Sequence, residues 1–334
     1  MVIQKINIKE NLALLETQFN GDEAHDMGIL QDYVRSLGNV DDKATLIAEI
    51  GRFFIKKYPN SELATGAKKI EEYVNEFQEK IQNAQSLLRN KKFEEAVSAF
   101  DELIGENKPP ESKEKRYYAF THPFEEMLCR TNIQNDERPI ERISTLPEIL
   151  YYQKGAALFE LKKYSESKEA FESCLKLNPA DARVYFELAQ IAKAENDLDT
   201  LRSLLKTMYP YLFTRHHLAR FYREYAHIAM VEERFDLAVA LIYISIDYED
   251  AQPARAMLNA VAKHKGVNLS KPNVQEVQKR LGDAKIPIGP CPSVYELAIH
   301  IGKTMRRTYP QIAKMAFGIA YDITHYEPLL RELQ

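Results

Sequence analysis

An internal repeat constrains the fold of this chain more than any other feature of its sequence. A small residue is followed nine positions later by a large residue, and seven positions after that by another, and this pattern occurs four times. The four sets are Ala84, Phe93, Phe100; Gly155, Tyr164, Phe171; Ala189, Leu198, Leu205; and Ala226, Phe235, Ile242. Gly155 and Ala189 are 34 residues apart, which is the period of a repeat built from two helices and a turn.

Each position of the pattern has a packing explanation. Two antiparallel helices joined by a tight turn approach closely where one of them carries a small side chain. The residue nine positions later is expected to begin the second helix, and the residue seven positions beyond it lies two turns further along the same face. The pattern therefore predicts an all-α fold of antiparallel helix pairs.

One repeat has enough further detail to show a family resemblance. The stretch from Tyr151 to Pro179 resembles a tetratricopeptide repeat (TPR), with its small residue, the Tyr164 before the second helix and a closing Leu-Asn-Pro. The whole chain is similar to an uncharacterised bacterial group of TPR-containing proteins, through Pro123-Phe124-Glu125-Glu126, the repeats and Ile286-Pro287-Ile288-Gly289-Pro290. This resemblance implies a right-handed α-solenoid of antiparallel helix pairs whose concave face binds peptides.

The repeats divide the chain into three expected parts. Residues 77–250 form the TPR-like array, with an irregular unit at about 111–146 where the spacing leaves room for one more unit. Residues 1–76 precede it as a helical segment with a degenerate repeat. Residues 251–334 follow as a helical cap with a shortened degenerate repeat, in which Gly302 lies in the first helix and Pro310 begins the second. Ser293 and Glu296 read as a capping box for that first helix.

The composition argues against several classes of protein. A chain of 334 residues with 45% hydrophobic and 28% charged residues is expected to fold rather than to be disordered. The 45 Lys and Arg against 49 Asp and Glu give a net charge of −4, which does not favour a nucleic-acid partner. Residues 1–10 lack the apolar segment of a signal peptide, and 18 consecutive apolar residues occur nowhere. We expect a cytoplasmic protein without a membrane partner.

No motif for catalysis, phosphate binding or metal binding is present. His216 and His217 are adjacent, and neighbours on a helix diverge by about 100°, so they do not face one metal ion. One of them is expected to pack inside and the other to be solvated. Cys129, Cys174 and Cys291 lack the spacing of a zinc site. We therefore expect no enzyme activity, no cofactor and no metal.

In tetratricopeptide repeats, the first helix of each repeat directs side chains at fixed positions toward the concave face. The resemblance assigns these positions in this chain as the candidate ligand-binding residues. They form a groove that is aromatic at one end and basic at the other, with three expected apolar anchors and four orienting charges. The set is Tyr152, Phe159, Arg183, Phe186, Gln190, Lys193, Arg220, Arg223 and His227. The anchors are Tyr152, Phe159 and Phe186, and the charges are Arg183, Lys193, Arg220 and Arg223.

This groove predicts a non-catalytic scaffold or adaptor that binds a peptide or protein segment, and the basic residues favour an acidic one. A different interpretation is that the arginines pair with Glu187 and Glu224, which lie beside the basic positions, on a solvated face. Another class is a peptide-sensing regulator whose solenoid closes on a small signal peptide. An enzyme on a helical scaffold is least favoured, because converging titratable groups are not evident in the sequence.

Overall fold

The computed structural model describes residues 8–36, 43–132, 136–264 and 269–333, most of which are helical. The chain divides into two compact units, Met1–Gln82 and Asn83–Gln334. Helix boundaries in the first unit are α1 (Ile8–Glu16), α2 (Glu23–Ser36), α3 (Lys43–Lys57) and the start of α4 (Glu62–Arg89), which continues into the second unit. The core of the first unit is formed by Leu12, Leu15, Leu30, Ile50 and Phe54.

The second unit contains the remaining elements, which begin with α5 (Phe93–Glu106), β1 (Arg116–Tyr118), α6 (Pro123–Asn132), β2 (Ile140–Arg142), α7 (Leu146–Glu160) and α8 (Tyr164–Leu177). They continue with α9 (Ala182–Ala194), α10 (Leu198–Met208), α11 (Arg215–Val231), α12 (Phe235–Tyr248), α13 (Gln252–Val261), α14 (Val274–Asp283), α15 (Pro292–Met305), α16 (Pro310–Thr324) and α17 (Leu330–Leu333). Consecutive helices pack as pairs, α7 with α8, α9 with α10, α11 with α12 and α15 with α16. The predicted all-α solenoid of helix pairs is confirmed.

The four repeat sets occupy the helix positions that their spacing predicts. The residue nine positions after each small residue is the first residue of a helix, at α5, α8, α10 and α12. Ala84, Ala189 and Ala226 are completely buried. A Cβ added to Gly155 would lie 2.9 Å from the ring of Phe171, so only hydrogen fits there without movement of the ring. The small residue of each set thus lies where two helices pack closely together.

The turns inside the helix pairs share one backbone conformation. Lys91, Lys162, Asn196 and Glu233 have positive φ angles of 60°, 58°, 55° and 57°, and each lies two residues before the next helix. The following backbone N–H reaches back five residues; for example, Lys163 donates to the carbonyl of Leu158 at 3.0 Å. This left-handed ending satisfies free carbonyls of the first helix and reverses the chain within three residues.

The irregular unit contains a strand, a helix and a second strand. Strands β1 and β2 are parallel, with Arg116 beside Ile140, and α6 lies in the connection between them. The backbone N–H of Ala119 donates to the carbonyl of Leu177 at 2.8 Å, which joins the segment after β1 to the end of α8. The sequence showed this stretch only as a gap in the repeat spacing, so its strands were not predicted.

The Pro-Phe-Glu-Glu segment attaches this irregular unit to the array. The Glu125 carboxylate accepts hydrogen bonds from the backbone N–H groups of Thr121 and His122, both at 2.9 Å, and so caps α6. The side-chain amide of Asn178, in the Leu-Asn-Pro ending of the repeat, donates to the same carboxylate at 2.8 Å. Phe124 is completely buried. The segment therefore has a structural role.

The C-terminal helices repeat the small-residue packing in a tighter form. Pro310 begins α16, and a Cβ added to Gly302 of α15 would lie 2.6 Å from the ring of Phe317. The capping box expected at Ser293 and Glu296 is not formed. Helix α15 begins at Pro292 instead, with Cys291 at its N-cap, because the fixed φ of proline favours the first helical position.

The Ile-Pro-Ile-Gly-Pro segment is held against the array by Tyr222. The Tyr222 hydroxyl donates to the carbonyl of Pro287 at 3.1 Å and accepts from the backbone N–H of Gly289 at 2.8 Å. Gly289 has a φ of 82°, a conformation that favours glycine.

Within the described residues, no helix combines the length and the apolar character that crossing a membrane requires.

Candidate functional site

Five of the nine predicted site residues line a single cleft of about 510 Å³. Gln190 and Lys193 come from α9, and Arg220, Arg223 and His227 come from α11. Both are the first helices of their pairs. Because equivalent helices of neighbouring repeats lie side by side, residues about one repeat apart in sequence reach the same cleft.

The basic wall of the cleft is organised around the buried carboxylate of Glu224, which is 3% exposed. Lys193 Nζ lies 2.6 Å from Glu224 Oε2, and the Gln190 amide donates to Glu224 Oε1 at 3.3 Å. Arg220 Nε lies 3.8 Å from the same Oε1 atom. A buried charge is stable only when it is paired and hydrogen-bonded. Glu224 therefore holds these three side chains in fixed positions.

Arg223 and His227 complete the polar side of the cleft. Arg223 Nη1 donates to the hydroxyl of Ser245 at 3.1 Å and lies 3.8 Å from a carboxylate oxygen of Glu249. Burial lowers the pKa of Arg223 from its usual value, but a guanidinium remains charged at neutral pH. Burial, and then the charge of Lys193, lowers the pKa of His227, so this imidazole is neutral at pH 7. The lining thus carries three cations and one carboxylate.

The remaining lining of the cleft forms an apolar wall and comes mainly from α13, which the repeat pattern does not include. It consists of Met230, Pro253, Ala256, Met257 and Ala260. The four residues of α13 follow the i, i+3, i+4, i+7 spacing of one helix face, starting at the proline. That spacing is the signal in the sequence that could have identified them.

Tyr152, Phe159 and Arg183 lie outside this cleft. The ring of Tyr152 packs edge-on against Phe171 at 5.6 Å, and the Arg183 guanidinium lies 5.6 Å from the Tyr152 ring centre. Burial, and then the charge of Glu187, raises the pKa of Tyr152 to about 12, so its hydroxyl stays protonated. Phe159 packs against Tyr164. These partly buried rings contribute to the packing of the α7 and α8 pair.

Our prediction that Phe186 is an apolar anchor in the groove is wrong. We expected an accessible apolar anchor at this position, but its side chain is only 1% exposed. The Arg220 guanidinium of the next repeat lies over the ring, 4.5 Å from its centre, and covers it. Phe186 therefore supports Arg220 from below, and such a cation on an aromatic face is a favourable contact.

Ion pairs and hydrogen bonds link the first helices of three successive pairs. The Tyr152 hydroxyl on α7 donates to Glu187 Oε1 on α9 at 3.4 Å, and Arg220 Nη1 on α11 lies 3.6 Å from that oxygen. Arg183 pairs with Asp181 at 2.6 Å. The pairing of arginines with Glu187 and Glu224 that the sequence offered as an alternative is present, and it positions the cations of the cleft.

The adjacent histidines separate as the sequence predicts. The ring of His217 is partly buried, and this burial, followed by the charge of His216, lowers its pKa to about 4. His216 is exposed, with its Nδ1 atom 2.9 Å from a carboxylate oxygen of Glu249. Cys129 and Cys174 are buried. In the part of the chain that the structure describes, no group of three His, Cys, Asp or Glu side chains is arranged to hold a metal ion.

One comparison with known protein families identifies a repeat in this chain. A family model for the tetratricopeptide repeat matches residues 149–181, which contain α8 and most of α7. Among solved structures, the chain is similar to the C-terminal part of a TPR repeat-containing protein from Cytophaga hutchinsonii, at 11% identity with a TM-score of 0.29, over 76% of this chain and 99% of that chain. No curated protein matches the chain. The chain therefore carries a tetratricopeptide repeat, and its resemblance to TPR proteins is confirmed.

Proposed function

We propose that this protein is a non-catalytic interaction scaffold that holds a peptide or protein segment in the cleft between α9, α11 and α13. The tetratricopeptide repeat supports a role in protein interaction in general. The observation that carries the proposal is the pairing of a cationic wall with an apolar wall in one cleft of about 510 Å³. A cleft of this volume takes a few side chains of an extended segment or one turn of a helix.

The charge of the cleft favours an acidic segment. Lys193, Arg220 and Arg223 outnumber the one lining carboxylate, Glu224, so the cleft has a positive field in a chain whose net charge is −4. Their side chains are already oriented by Glu224, Phe186 and Ser245. Pre-oriented donors lose less conformational entropy on binding an acidic group.

The apolar wall supplies the other part of the affinity. Met230 and Met257 have flexible, polarisable side chains that adapt to different apolar partners. Pro253, Ala256 and Ala260 are small or rigid and leave space beside them. We therefore expect the bound segment to place an apolar side chain on α13 and an acidic side chain on α11.

A peptide-display selection against the full chain tests this function. The variant Ala256→Trp fills the cleft without changing any charged group, and Asn259→Trp places the same side chain on an exposed part of α13 that does not line the cleft. We expect acidic, apolar-containing peptides that bind the wild type and Asn259→Trp alike. Their affinity should fall at least tenfold in Ala256→Trp and decrease as salt concentration rises.

Two results would count against the proposal. One is a set of peptides that bind Ala256→Trp as well as they bind the wild type, because the interaction would then lie on another face. The other is a binding affinity that does not change with salt concentration, because the cations of Lys193, Arg220 and Arg223 would then take no part.

A further inference from the structure

The first half of α4 presents apolar side chains to solvent along one face. Leu63, Ile70, Tyr73 and Val74 are 42%, 66%, 59% and 43% exposed. Phe77 continues the row and stacks against Tyr73, with ring centres 6.2 Å apart. Single exposed apolar residues are common, but a continuous row of large ones marks an interaction surface.

The spacing of this row is that of a helix that packs against another helix. Leu63, Ile70 and Phe77 recur every seven residues, and Gly66 and Tyr73 occupy the second position of the same heptads. Together with Val74 they fall within about a third of the helix circumference, at 100° per residue. Two such positions in each heptad form the seam of a two-helix contact.

The charges beside the row identify the second helix. Lys69 and Glu76 are one heptad apart and both exposed, and they flank the same side of the row. In an antiparallel pair of identical helices, this flank of one copy faces the same flank of the other. Lys69 of each copy then lies opposite Glu76 of the other, which gives two complementary pairs related by a two-fold axis. In a parallel pair, Lys69 would instead face the flank that carries Val74, and the Lys69–Glu76 pairs would not form.

The sizes of the side chains along the row are complementary in the same antiparallel register. Ile70 of one copy lies level with Tyr73 of the other, and Gly66 lies level with Phe77. A Cβ added to Gly66 would meet nothing within 4 Å, so the space above it is open to a ring. In both of these layers, therefore, an aromatic ring meets a smaller side chain.

We propose that this face of α4, formed by Leu63, Gly66, Ile70, Tyr73, Val74 and Phe77, is a self-association surface on which the α4 helix of a second copy of the chain packs in the antiparallel direction. The surface lies outside the basic cleft and does not depend on the proposed function. A homodimer formed this way has two copies of every contact, so it is sensitive to a change in one residue.

Sedimentation analysis of the full chain and of charge variants tests the proposal. The wild type should show a reversible dimer with twice the mass of the 38.6 kDa chain. Lys69→Glu and Glu76→Lys each place like charges opposite one another, and each alone should raise the dimer dissociation constant about tenfold, which is about 1.4 kcal/mol. Lys68→Glu is the matched control, because it makes the same charge change on the opposite side of α4 and should leave the constant unchanged.

Mixing the two variants gives the decisive measurement. Lys69→Glu and Glu76→Lys chains together should form a heterodimer at least as stable as the wild-type dimer, because both pairs are attractive again. Ile70→Ser should weaken dimers of every combination. A wild type that stays monomeric at all accessible concentrations overturns the proposal. A wild-type dimer that neither charge variant weakens, or variants that fail to recover on mixing, also overturns it, since the contact would then use another face or direction.

Discussion

Glu148 is a carboxyl group with no exposed surface, located in the first turn of α7. Burial, and then the charge of Asp181, raises the pKa of Glu148 to about 8, even though the Arg183 guanidinium lies 3.5 Å away. Arg183 is bound more closely by Asp181, at 2.6 Å. Among single residues, this group shows most clearly how burial and a like charge can outweigh a nearby cation.

This raised pKa predicts a pH-dependent stability. Between about pH 5 and pH 8 the folded chain keeps a proton on Glu148 that the unfolded chain has lost, so the free energy of unfolding falls as pH rises through this range. Glu148→Gln removes the effect. From pH 5 to pH 9 the variant should gain stability relative to the wild type, on the order of 4 kcal/mol, since the raised pKa acts over roughly three pH units and each unit corresponds to about 1.4 kcal/mol.

Urea unfolding followed by circular dichroism at both pH values measures this difference. Glu160→Gln, at the exposed end of α7, controls for the loss of one carboxylate. A stability difference between Glu148→Gln and the wild type that is the same at pH 5 and pH 9 would show that Glu148 is ionised in the folded protein.

At the scale of elements, the turns within helix pairs combine a common conformation with unusual residues. Glycine is the residue that best tolerates a positive φ, but the four turns have Lys91, Lys162, Asn196 and Glu233 in this position. A left-handed residue other than glycine costs about 1–2 kcal/mol. The packing of the paired helices, rather than the turn residues, therefore determines the turn geometry.

The turn between α7 and α8 offers a matched pair of substitutions. Lys162 has a φ of 58° and Lys163 a φ of −84°, and both side chains are exposed. Lys162→Gly should stabilise the protein by about 0.5–1 kcal/mol, because relief of the left-handed strain exceeds the entropy cost of glycine. Lys163→Gly should destabilise it by about 0.5–1 kcal/mol, because there glycine adds only entropy cost. Equal effects in thermal unfolding would contradict the turn strain.

At the scale of the whole molecule, helix pairs that contact mainly their neighbours make stability a local property along the chain. Helix α7 contacts α5, α8 and α9, whereas α15 packs mainly against α16 near the C-terminal end of the described residues. Stability in such an array is close to a sum of the stabilities of each unit and of the interfaces between neighbours. The same packing defect should therefore destabilise more helices when it lies in the middle of the array than when it lies at its C-terminal end.

Gly155→Ala and Gly302→Ala introduce the same defect at these two places. Each new methyl group would lie within 3.0 Å of a buried phenylalanine ring, Phe171 or Phe317, so each variant should lose about 1–3 kcal/mol. In Gly302→Ala, hydrogen exchange should increase only in α15 and α16. In Gly155→Ala, it should increase across α5, α7, α8 and α9. Gly318→Ala, whose methyl group would have 4.0 Å to its nearest neighbour, is the control and should not increase exchange. Equal exchange profiles for the two variants would contradict local stability.

The repeat spacing alone located the helix pairs, because the close approach of two helices requires a small residue at a fixed distance from the turn. It identified the first residues of α5, α8, α10 and α12. Together with the resemblance to TPR proteins, it also assigned Gln190, Lys193, Arg220, Arg223 and His227 to one side of the array, and these five residues line one cleft. These predictions depend on contacts between residues that are close in sequence, and such contacts repeat with the period of the chain. The division of the chain into an N-terminal segment, an array and a C-terminal cap remains our proposal.

Contacts between distant segments were decided only by the tertiary structure. The sequence did not show that Arg220 covers Phe186, that α13 forms the apolar wall of the cleft, or that β1 and β2 pair across α6. None of these contacts follows from the repeat spacing, since each depends on which side chain of a neighbouring unit fills the available space. The sequence by itself determined the repeating helix pairs through local packing, whereas the shape and charge of the cleft were determined by packing between units.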